Sequence, residues 1–359
     1  MKAVVKFERG PGNVELREVP QPEPGPGQVK IEVKAAGVCG SDLHIYHDDI
    51  KITIIPPVVM GHEFSGVIVG TGRGVTACQA GDRVTCETTV ESCGACLQCQ
   101  TGHYNMCATR KVLGYSVDGC FARYCVVNER QVHRLPDNVD FVAGALTEPL
   151  ACCVHGVLGL TGLTPNDRVL IAGPGPIGLF CLQLAKATGA WAAMCGTSQD
   201  FGRLALAREL GADATIDGQV QDVPAWLAEH GLEQGVDVFL ECSGAPAAAR
   251  LGLDATRRRG RYTQLGLSAA PFELDFSLIA YKELRVTGAL GQRWPAWEQS
   301  LDLLRRGLIN ANRLVSDVLP LGAWWTAFEM VEAKKGLKIV LQPSDEGYAK
   351  EQKDDDIHA

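Results

Sequence analysis

The chain has 359 residues, of which 42 are acidic and 34 are Lys or Arg, and its formal net charge is −8. A chain of this length is too long to fold around one ordinary hydrophobic core, which predicts two domains. The acidic balance argues against nucleic acid or an anionic membrane as a partner, because both require a basic face. No uninterrupted apolar run reaches the roughly 18 residues of a membrane-spanning helix.

The first ten residues and the cysteines bear on the compartment. The apolar run in "MKAVVKFERG" is broken by Lys6, Glu8 and Arg9, which is not typical of a secretory signal. We therefore expect the protein in the cytoplasm, where thiols are kept reduced. In that compartment the fourteen cysteines favour metal binding or plain burial over a disulfide framework.

The first 155 residues are predicted to form a β-rich domain. Short runs rich in β-branched residues are separated by Pro/Gly turns, a pattern typical of strands with tight connections. The runs are "KAVVKF", "QVKIEVKAAGV", "EFSGVIVGTG" and "GDRVTCET". A cysteine-rich lobe is expected within this domain at about residues 91–107.

Residues 156–292 show a different pattern, in which apolar strands alternate with helices. The predicted strands are "RVLIAG" (168–173), "WAAMCG", "VDVFLECSG" and "RYTQLGL", and the predicted helices are "PIGLFCLQLAKATG", "RLALARELGAD" and "APAAARLGLDATRRRG". The alternation predicts an α/β fold with a doubly wound parallel sheet. The basic run at 257–259 is interpreted as a solvated helix end rather than a nucleic-acid patch.

Residues 293–343 are predicted to return to the first domain. "WEQSLDLLRRGLI" and "AFEMVEAKKG" have helical periodicity, and "LKIVLQ" is typical of a closing strand. The charged residues 344–359 lack apolar periodicity, so we expect a loose tail there.

The motif "GPGPIG" (173–178) follows an apolar strand and opens a helix, which predicts a dinucleotide site. Gly173 permits the tight turn, Gly175 lets the backbone approach a pyrophosphate, and Gly178 allows close helix–strand packing. The helix start, with Pro176 and Ile177, offers free N–H groups to the phosphates. An ordinary glycine-rich turn is the alternative, and the strand–helix–strand context disfavours it.

The coenzyme type stays open at this stage. An acid that binds the ribose 2′-hydroxyl is expected about 20 residues after the glycines, but "MCGTSQDFGR" places Thr197 or Ser198 there. Asp200 comes a few residues late, and Arg203 could accommodate a 2′-phosphate or be a solvated residue at a helix start. We expect Thr197 and Arg203 to govern the choice between NAD and NADP. Further residues predicted to bind the coenzyme are Leu265, Gly266, Leu267 and Ala289.

Four cysteines crowd the stretch "ESCGACLQCQTGHYNMC", with two, two and seven residues between them: Cys93, Cys96, Cys99 and Cys107. Four thiolates form a closed tetrahedron around zinc with no position for water or substrate, which indicates a structural site. An iron–sulfur run of the bacterial ferredoxin type would place its fourth cysteine three residues on and follow it with proline. Here Ala108 follows Cys107.

Candidate ligands for a catalytic zinc are scattered through the β-rich half. Cys39 lies in "GVCGSDLHIY", His62 and Glu63 lie in "GHEFSG", and Glu148 lies in "TEPLACC". Catalytic zinc takes a few N, S and O ligands and keeps one open position. No single spacing proves such a site, because Cys39 alone could be a buried small hydrophobe and His62 a hydrogen-bonded core histidine.

Seven motifs occur in the order found in zinc-dependent medium-chain dehydrogenases, and the chain resembles that family over about residues 1–341. The motifs are "GVCGSDLHIY", "GHEFSGVIVGTG", "GDRVT", "CGACLQCQTGHYNMC", "DGCFARY", "TEPLACC" and "GPGPIG". The sorbitol (polyol) and threonine dehydrogenase branch is the most similar, because classical alcohol dehydrogenases carry a second cysteine where this chain has Glu148. The resemblance implies a GroES-like β-rich catalytic domain and a Rossmann coenzyme domain.

The resemblance also implies roles for individual residues. Cys39 and His62 would bind the catalytic zinc, with Glu63 and Glu148 as the third ligand and an exchangeable or water-bridged neighbour. The four cysteines of the lobe would hold a second, structural zinc. Ser41 and His44 match the proton-relay positions of the family. Arg293 lies where relatives place substrate-facing side chains, although a surface salt bridge is an equal alternative.

The implied reaction is oxidation of a polyol or related secondary alcohol by NAD or NADP. Zinc would act as a Lewis acid on the substrate hydroxyl, the proton would leave through Ser41 and His44, and hydride would pass to the nicotinamide ring. Threonine-type or 2,3-butanediol-type oxidation would use the same residues. A homodimer or homotetramer is usual in the family.

Three other interpretations compete with this one. A zinc-free reductase of the quinone oxidoreductase type shares the fold but lacks the zinc ligands and the cysteine lobe. An iron–sulfur electron carrier would make the purified protein brown. A non-catalytic zinc-binding role would leave it without NAD(P)-dependent turnover.

Overall fold

The computed structural model describes residues 1–49, 51–268 and 270–343, so the predicted tail at 344–359 lies outside the described part of the chain. The described chain divides into two compact units. Unit 1 comprises Met1–Glu148, Gln292–Arg305 and the described residues from Ala311 onward, and unit 2 comprises Pro149–Gly291 and Arg306–Asn310. The sequence places domain boundaries after residues 155 and 292, and that division stays a prediction.

The elements follow one another along the chain in three groups. The strands up to residue 134 are β1 (Lys2–Lys6), β2 (Val14–Glu18), β3 (Gln28–Gly37), β4 (Val58–Val59), β5 (Glu63–Thr71), β6 (Arg83–Cys86), β7 (Thr89–Glu91), β8 (Lys111–Val112), β9 (Tyr124–Asn128) and β10 (Val132–Arg134). The helices up to residue 154 are α1 (Gly40–His47), α2 (Leu97–Gln100), α3 (Phe141–Ala145) and α4 (Thr147–Val154).

The second group supplies unit 2, and the third returns to unit 1. Unit 2 contains β11 (Arg168–Ala172), α5 (Pro176–Thr188), β12 (Trp191–Gly196), α6 (Phe201–Glu209), β13 (Ala214–Asp217), α7 (Val223–Glu229), β14 (Val236–Glu241), α8 (Pro246–Ala255), β15 (Thr256–Gln264), α9 (Ser277–Lys282) and β16 (Arg285–Gly288). The last elements are α10 (Trp294–Arg305), β17 (Val315–Pro320), α11 (Trp324–Glu332) and β18 (Lys338–Gln342).

The largest sheet of unit 1 runs in the order β10-β6-β5-β3-β18-β17, and β9 also pairs with β3. Burial alternates along β3, where Val29, Ile31 and Val33 face the core and are fully buried. This period of two is what a strand with one face on the core requires. The closing strand β18 pairs with β3 and β17, so the end of the described chain completes the sheet that its beginning started.

Unit 2 is one parallel sheet in the order β13-β12-β11-β14-β15-β16. Numbered from its first strand this order is 3-2-1-4-5-6, the order of a dinucleotide-binding sheet. Val169, Leu170 and Ile171 of β11 are fully buried, because helices cover both faces of such a sheet. The predicted doubly wound α/β fold is confirmed.

The prediction that the arginine run at 257–259 ends a helix is wrong. Helix α8 ends at Ala255, and Thr256 already pairs with β14. Pairing at the sheet overrides the helical propensity of arginine, since propensity is a weak preference. Arg257 Nε instead bonds Asp237 Oδ1 at 2.6 Å, and Arg259 has a positive φ of 60° beside an irregularity in the β14–β15 register.

Among the residues that the structure describes, no helix has the length and apolar character of a membrane span.

Candidate active site and zinc centres

Cys39 is held at the junction between β3 and α1. It is the N-cap residue of α1, and its backbone N–H donates to Asp42 Oδ2 at 2.8 Å. This reciprocal arrangement of an N-cap residue and the third helical residue satisfies donors that a helix start leaves free. The turn therefore fixes the position of the thiol that follows strand β3.

His62 and Glu63 lie at the start of β5, directly across from the end of β3. Glu63 pairs in register with Gly37, and a Cβ at position 37 would lie 2.3 Å from the Glu63 carboxylate. Glycine at this position thus leaves the room that the carboxylate occupies. Both His62 and Glu63 are buried, at 5% and 0% exposure.

The structure brings Cys39, His62 and Glu63 together as one possible metal site. One ligand atom from each residue lies within 4.8 Å of the others. Zinc binds S, N and carboxylate O at about 2.0–2.3 Å, so ligand atoms this close can share one ion after small side-chain rotations. A set of three protein ligands leaves a fourth tetrahedral position open, which is the pattern of catalytic zinc.

Asp42 is a site residue that sequence reasoning missed. Its side chain is fully buried, and Oδ1 lies 3.5 Å from His62 Nδ1, an atom that makes no hydrogen bond in the structure. A carboxylate beside the second nitrogen of a ligating histidine orients the ring and makes it more basic. The spacing of an acid three residues after Cys39 is the sequence signal that could have identified Asp42.

Lys338 is a second missed residue, and it neutralises Glu63. Its Nζ lies 2.5 Å from both carboxylate oxygens of Glu63 and 3.2 Å from the Val38 carbonyl oxygen. The charge of Glu63 contributes to a pKa of Lys338 well above its ordinary value, although burial opposes that shift. No local pattern marks this pair, because its members are 275 positions apart in the chain.

Glu148 is close to the buried cluster but is not one of its three members. Its Oε1 accepts a hydrogen bond from Gln292 Nε2 at 2.8 Å, and the same nitrogen lies 3.2 Å from Thr88 Oγ1. Burial raises the pKa of Glu148 to about 7, and the charge of Glu63 adds to the shift while that of His62 opposes it. Gln292, the donor that holds this carboxylate, was also missed.

The two predicted relay residues occupy different surroundings. Ser41 Oγ lies 3.4 Å from His62 Nε2, at the edge of the cluster. His44 is one helical turn further on, partly exposed, with Nδ1 2.8 Å from Asp49 Oδ1. Helix α1 thus carries one hydroxyl beside the buried site and one imidazole facing water, and the relay itself stays a prediction.

The four lobe cysteines lie within 4.8 Å of one another: Cys93, Cys96, Cys99 and Cys107. The Cys96–Cys99 and Cys93–Cys99 sulfur distances are 3.5 and 3.9 Å. Sulfurs arranged tetrahedrally around zinc at about 2.3 Å would be about 3.8 Å apart. The geometry is that of a closed Cys₄ site.

Backbone donors favour the thiolate form of Cys93 and Cys107, whereas neighbouring thiols raise the pKa of Cys96 to about 11. The N–H groups of Cys93 and Cys96 point at the sulfurs of Cys107 and Cys93, at 3.5 and 3.3 Å. The Cys93 N–H, with Thr109, lowers the pKa of Cys107 to about 6. His103 Nδ1 lies 3.1 Å from Thr101 Oγ1.

The glycine loop has the geometry that a phosphate-binding turn needs. Gly173 has a φ of +99°, and a Cβ there would lie 2.7 Å from the Ser243 side chain. A Cβ at Gly178 would lie 2.0 Å from the Gly173 carbonyl oxygen, whereas Gly175, the N-cap of α5, faces open space. Pro176, which has no N–H, and Ile177 open the first turn of α5, and a helix start of this kind offers backbone N–H groups to phosphates.

The other predicted coenzyme residues follow the carboxyl ends of the parallel strands, the edge where ligands bind in such sheets. Thr197 and Ser198 follow β12. The Leu265 and Gly266 N–H groups both donate to the Glu241 carbonyl oxygen, and Leu267 follows them. Two further predicted coenzyme residues are Arg203, which is 3.8 Å from Asp200, and Ala289, which follows β16. Arg293, the predicted substrate-facing residue, precedes α10 in unit 1.

Comparison with known proteins first defines the class. Residues 25–137 match the alcohol dehydrogenase GroES-like domain, and residues 176–306 match the zinc-binding dehydrogenase domain. A sorbitol dehydrogenase of Halalkalibacterium halodurans is 43% identical over 96% of this chain and 100% of its own length. An L-threonine 3-dehydrogenase of Symbiobacterium thermophilum is 39% identical, over 96% and 98%.

A solved zinc-binding dehydrogenase of Sinorhizobium meliloti bound to NADP superposes with a TM-score of 0.88 at 34% identity, covering 95% of this chain and 99% of its own. The chain belongs to the zinc-dependent medium-chain dehydrogenase/reductase family, in its polyol and threonine dehydrogenase branch. The predicted reaction class is confirmed: the protein is a zinc- and NAD(P)-dependent oxidoreductase of alcohols or polyols.

Proposed function

We propose that this protein oxidises a polyol or a related secondary alcohol to the ketone or ketose and passes hydride to the nicotinamide coenzyme. The observation that carries the proposal is the buried cluster of Cys39, His62 and Glu63, oriented by Asp42. The 43% identity with a relative named sorbitol dehydrogenase supports the substrate class.

Different residues of unit 1 bind the zinc ion and transfer the proton of the substrate alcohol. Zinc held by Cys39, His62 and Glu63 supplies Lewis acidity toward a hydroxyl when it is bound. Ser41, next to His62, accepts the hydroxyl proton as it gives its own proton toward His44, and the exposed His44 releases a proton to water. Glu148 is the exchangeable neighbour of the zinc ligands, held in place by Gln292.

The residues of unit 2 hold the coenzyme. The turn at Gly173, Gly175 and Gly178 and the start of α5 receive the pyrophosphate. The residues after β12, β15 and β16 would contact the ribose and nicotinamide parts, because ligands bind at the carboxyl ends of the strands in such sheets. The structural zinc of the cysteine lobe has no part in the chemistry, because four thiolates complete its shell.

Threonine-type oxidation is the second candidate, supported by the 39% identity with a named L-threonine 3-dehydrogenase. A secondary hydroxyl is oxidised in both cases, so the same zinc ligands serve either substrate. Arg293 is the residue that we propose contacts the polar part of the substrate. We also propose a cytoplasmic homodimer or homotetramer.

A substrate screen tests the proposal. Zinc-loaded protein is assayed with NAD⁺ and NADP⁺ against sugar alcohols, 2,3-butanediol, threonine and simple secondary alcohols, and reduced coenzyme is followed at its absorbance band. We expect the highest kcat/KM with a polyol. A higher kcat/KM with threonine favours the second candidate. Absence of turnover across the panel, by protein that holds two zinc ions and binds NADH, would overturn both.

A further inference from the structure

The end of strand β12 lacks the acid that usually binds the ribose 2′-hydroxyl. Gly196, Thr197 and Ser198 occupy that position. Asp200, the nearest acid along the chain, is engaged in a turn, because Oδ2 accepts both the backbone N–H and the hydroxyl of Thr197 at 3.0 and 2.7 Å. A group that distinguishes NAD(H) from NADP(H) is therefore expected among the other side chains near the carboxyl end of β12.

The adjacent parallel strand brings a second carboxylate to the same place. Asp217, the last residue of β13, is in register with Gly196. Its Oδ2 accepts the hydroxyl of Ser198 at 2.6 Å, and its Oδ1 accepts the backbone N–H of Gln219 at 3.0 Å. The Ser198 N–H lies 3.3 Å from Gln219 Oε1. The side chain of Asp217 is thus fixed from two sides, directly behind Ser198.

These bonds decide what Ser198 can offer to a ligand. Its hydroxyl hydrogen is directed at Asp217, so its oxygen can only accept. A ribose 2′-hydroxyl can donate to that oxygen. A 2′-phosphate presents acceptor oxygens and negative charge, so it would meet an acceptor and a carboxylate behind it.

Charges of both signs surround this position. Asp217 and Asp200 place two carboxylates at the strand end, and burial together with these charges raises the pKa of Cys195 in β12 to about 11. Two arginine side chains near the same position carry positive charge. Arg203 lies 3.8 Å from Asp200, and Arg208 lines a recess of about 140 Å³ together with Ser198 and Asp217. Asp217 bonds directly to Ser198, whereas Asp200 bonds directly to Thr197.

We propose that Asp217, acting through Ser198, replaces the missing ribose-binding acid and makes the site select NAD(H) over NADP(H). The inference rests on the proposed function, since it assumes that the glycine loop binds a nicotinamide dinucleotide. It assigns coenzyme selection to the end of β13, whereas the sequence motif places the ribose-binding acid at the end of β12.

Binding titrations test the inference without the chemical step. The zinc-loaded full chain is titrated with NADH and NADPH, and the fluorescence of the reduced nicotinamide gives each Kd. We expect NADH to bind about tenfold or more tightly than NADPH, and Asp217→Asn to reduce that ratio by about tenfold, because one charge near the 2′-phosphate is removed. Ser198→Ala should weaken NADH binding and leave NADPH binding little changed.

The matched control is Asp222→Asn, which removes an exposed acid five residues further on and keeps an N-cap for α7. It should leave the ratio unchanged. Equal affinity for both coenzymes in the unmodified protein, or an unchanged ratio in Asp217→Asn, would overturn the inference. So would a preference for NADPH that Arg203→Ala or Arg208→Ala removes, since the recess would then hold the phosphate. Failure to bind either dinucleotide would overturn the proposed function as well.

Discussion

The Tyr104 hydroxyl accepts a hydrogen bond from the backbone N–H of Trp294 at 2.6 Å and donates one to Glu87 Oε2 at 2.7 Å. Tyr104 belongs to the cysteine lobe, between Cys99 and Cys107. Trp294 begins α10, two residues after the Gln292 that holds Glu148. The lobe is therefore bonded to the segment that positions a carboxylate of the candidate active site.

This bond predicts that Tyr104→Phe affects the active site without affecting metal content. Glu87 is buried and loses a donor, which costs about 1–3 kcal/mol of the free energy of unfolding. We expect a lower kcat/KM with both zinc ions retained, measured by steady-state assay and metal analysis. Tyr124→Phe in β9, whose ring lies under Lys30, is the control. A Tyr104→Phe protein with unaltered stability and kinetics would refute the link.

The buried pair of Lys338 and Glu63 predicts a large stability effect. Lys338→Met leaves a fully buried carboxylate without its cation, and breaking such a pair costs roughly 3–5 kcal/mol. Chemical denaturation in the presence of a chelator measures the change without the contribution of zinc. The exposed pair Lys111–Glu91 supplies the comparison, since Lys111→Met should cost less than about 1 kcal/mol. Equal effects in the two variants would contradict the prediction.

For Lys338 a double variant separates charge from packing. Adding Glu63→Gln to Lys338→Met removes the uncompensated charge, so part of the lost stability should return in the chelated protein. If the double variant is less stable than the single one, the loss comes from packing and not from the buried carboxylate.

Cys39→Ser is expected to abolish turnover while the protein stays folded and still binds NADH. Loss of a thiolate ligand removes the Lewis acid, and several kcal/mol of transition-state stabilisation correspond to about 10³-fold or more in rate. Metal analysis should show one zinc in place of two. Cys78→Ser, a partly buried cysteine outside both clusters, is the control. Full activity in Cys39→Ser would remove Cys39 from the site.

Cys96→Ser should have the opposite order of effects. The Cys₄ site stabilises the lobe, because metal binding free energy adds to folding free energy. We expect loss of one zinc and a lower melting temperature first, with activity falling only as a consequence. Thermal melts with zinc analysis, again against Cys78→Ser, measure both. A variant that loses this zinc and keeps its full thermal stability would show that the lobe does not depend on the metal.

The parallel sheet of unit 2 could be predicted because its signals are local. The central strands β11, β12 and β14 are apolar runs and α5 is a periodic segment, so neighbouring residues carry the pattern. The prediction failed at Arg257–Arg259, where a helical composition continues past Ala255 but the chain turns into β15. Pairing with β14 sets the start of β15, and the sequence of the arginine run itself does not indicate that pairing.

The sequence by itself determined the features whose parts lie close together in the chain. The cysteine lobe and the glycine loop are of this kind, since a metal tetrahedron and a strand–helix turn each need only a short segment with the right spacing. The order of the motifs along the chain also carried the family resemblance, which the comparisons confirm.

Only the tertiary structure decided how the distant side chains meet. Lys338 reaches Glu63 across 275 residues and Gln292 reaches Glu148 across 144, while Asp217 meets Ser198 because β12 and β13 are parallel neighbours in one register. A hydrogen bond or ion pair depends on distances of a few ångströms, and sheet pairing sets those distances between residues that share no local pattern.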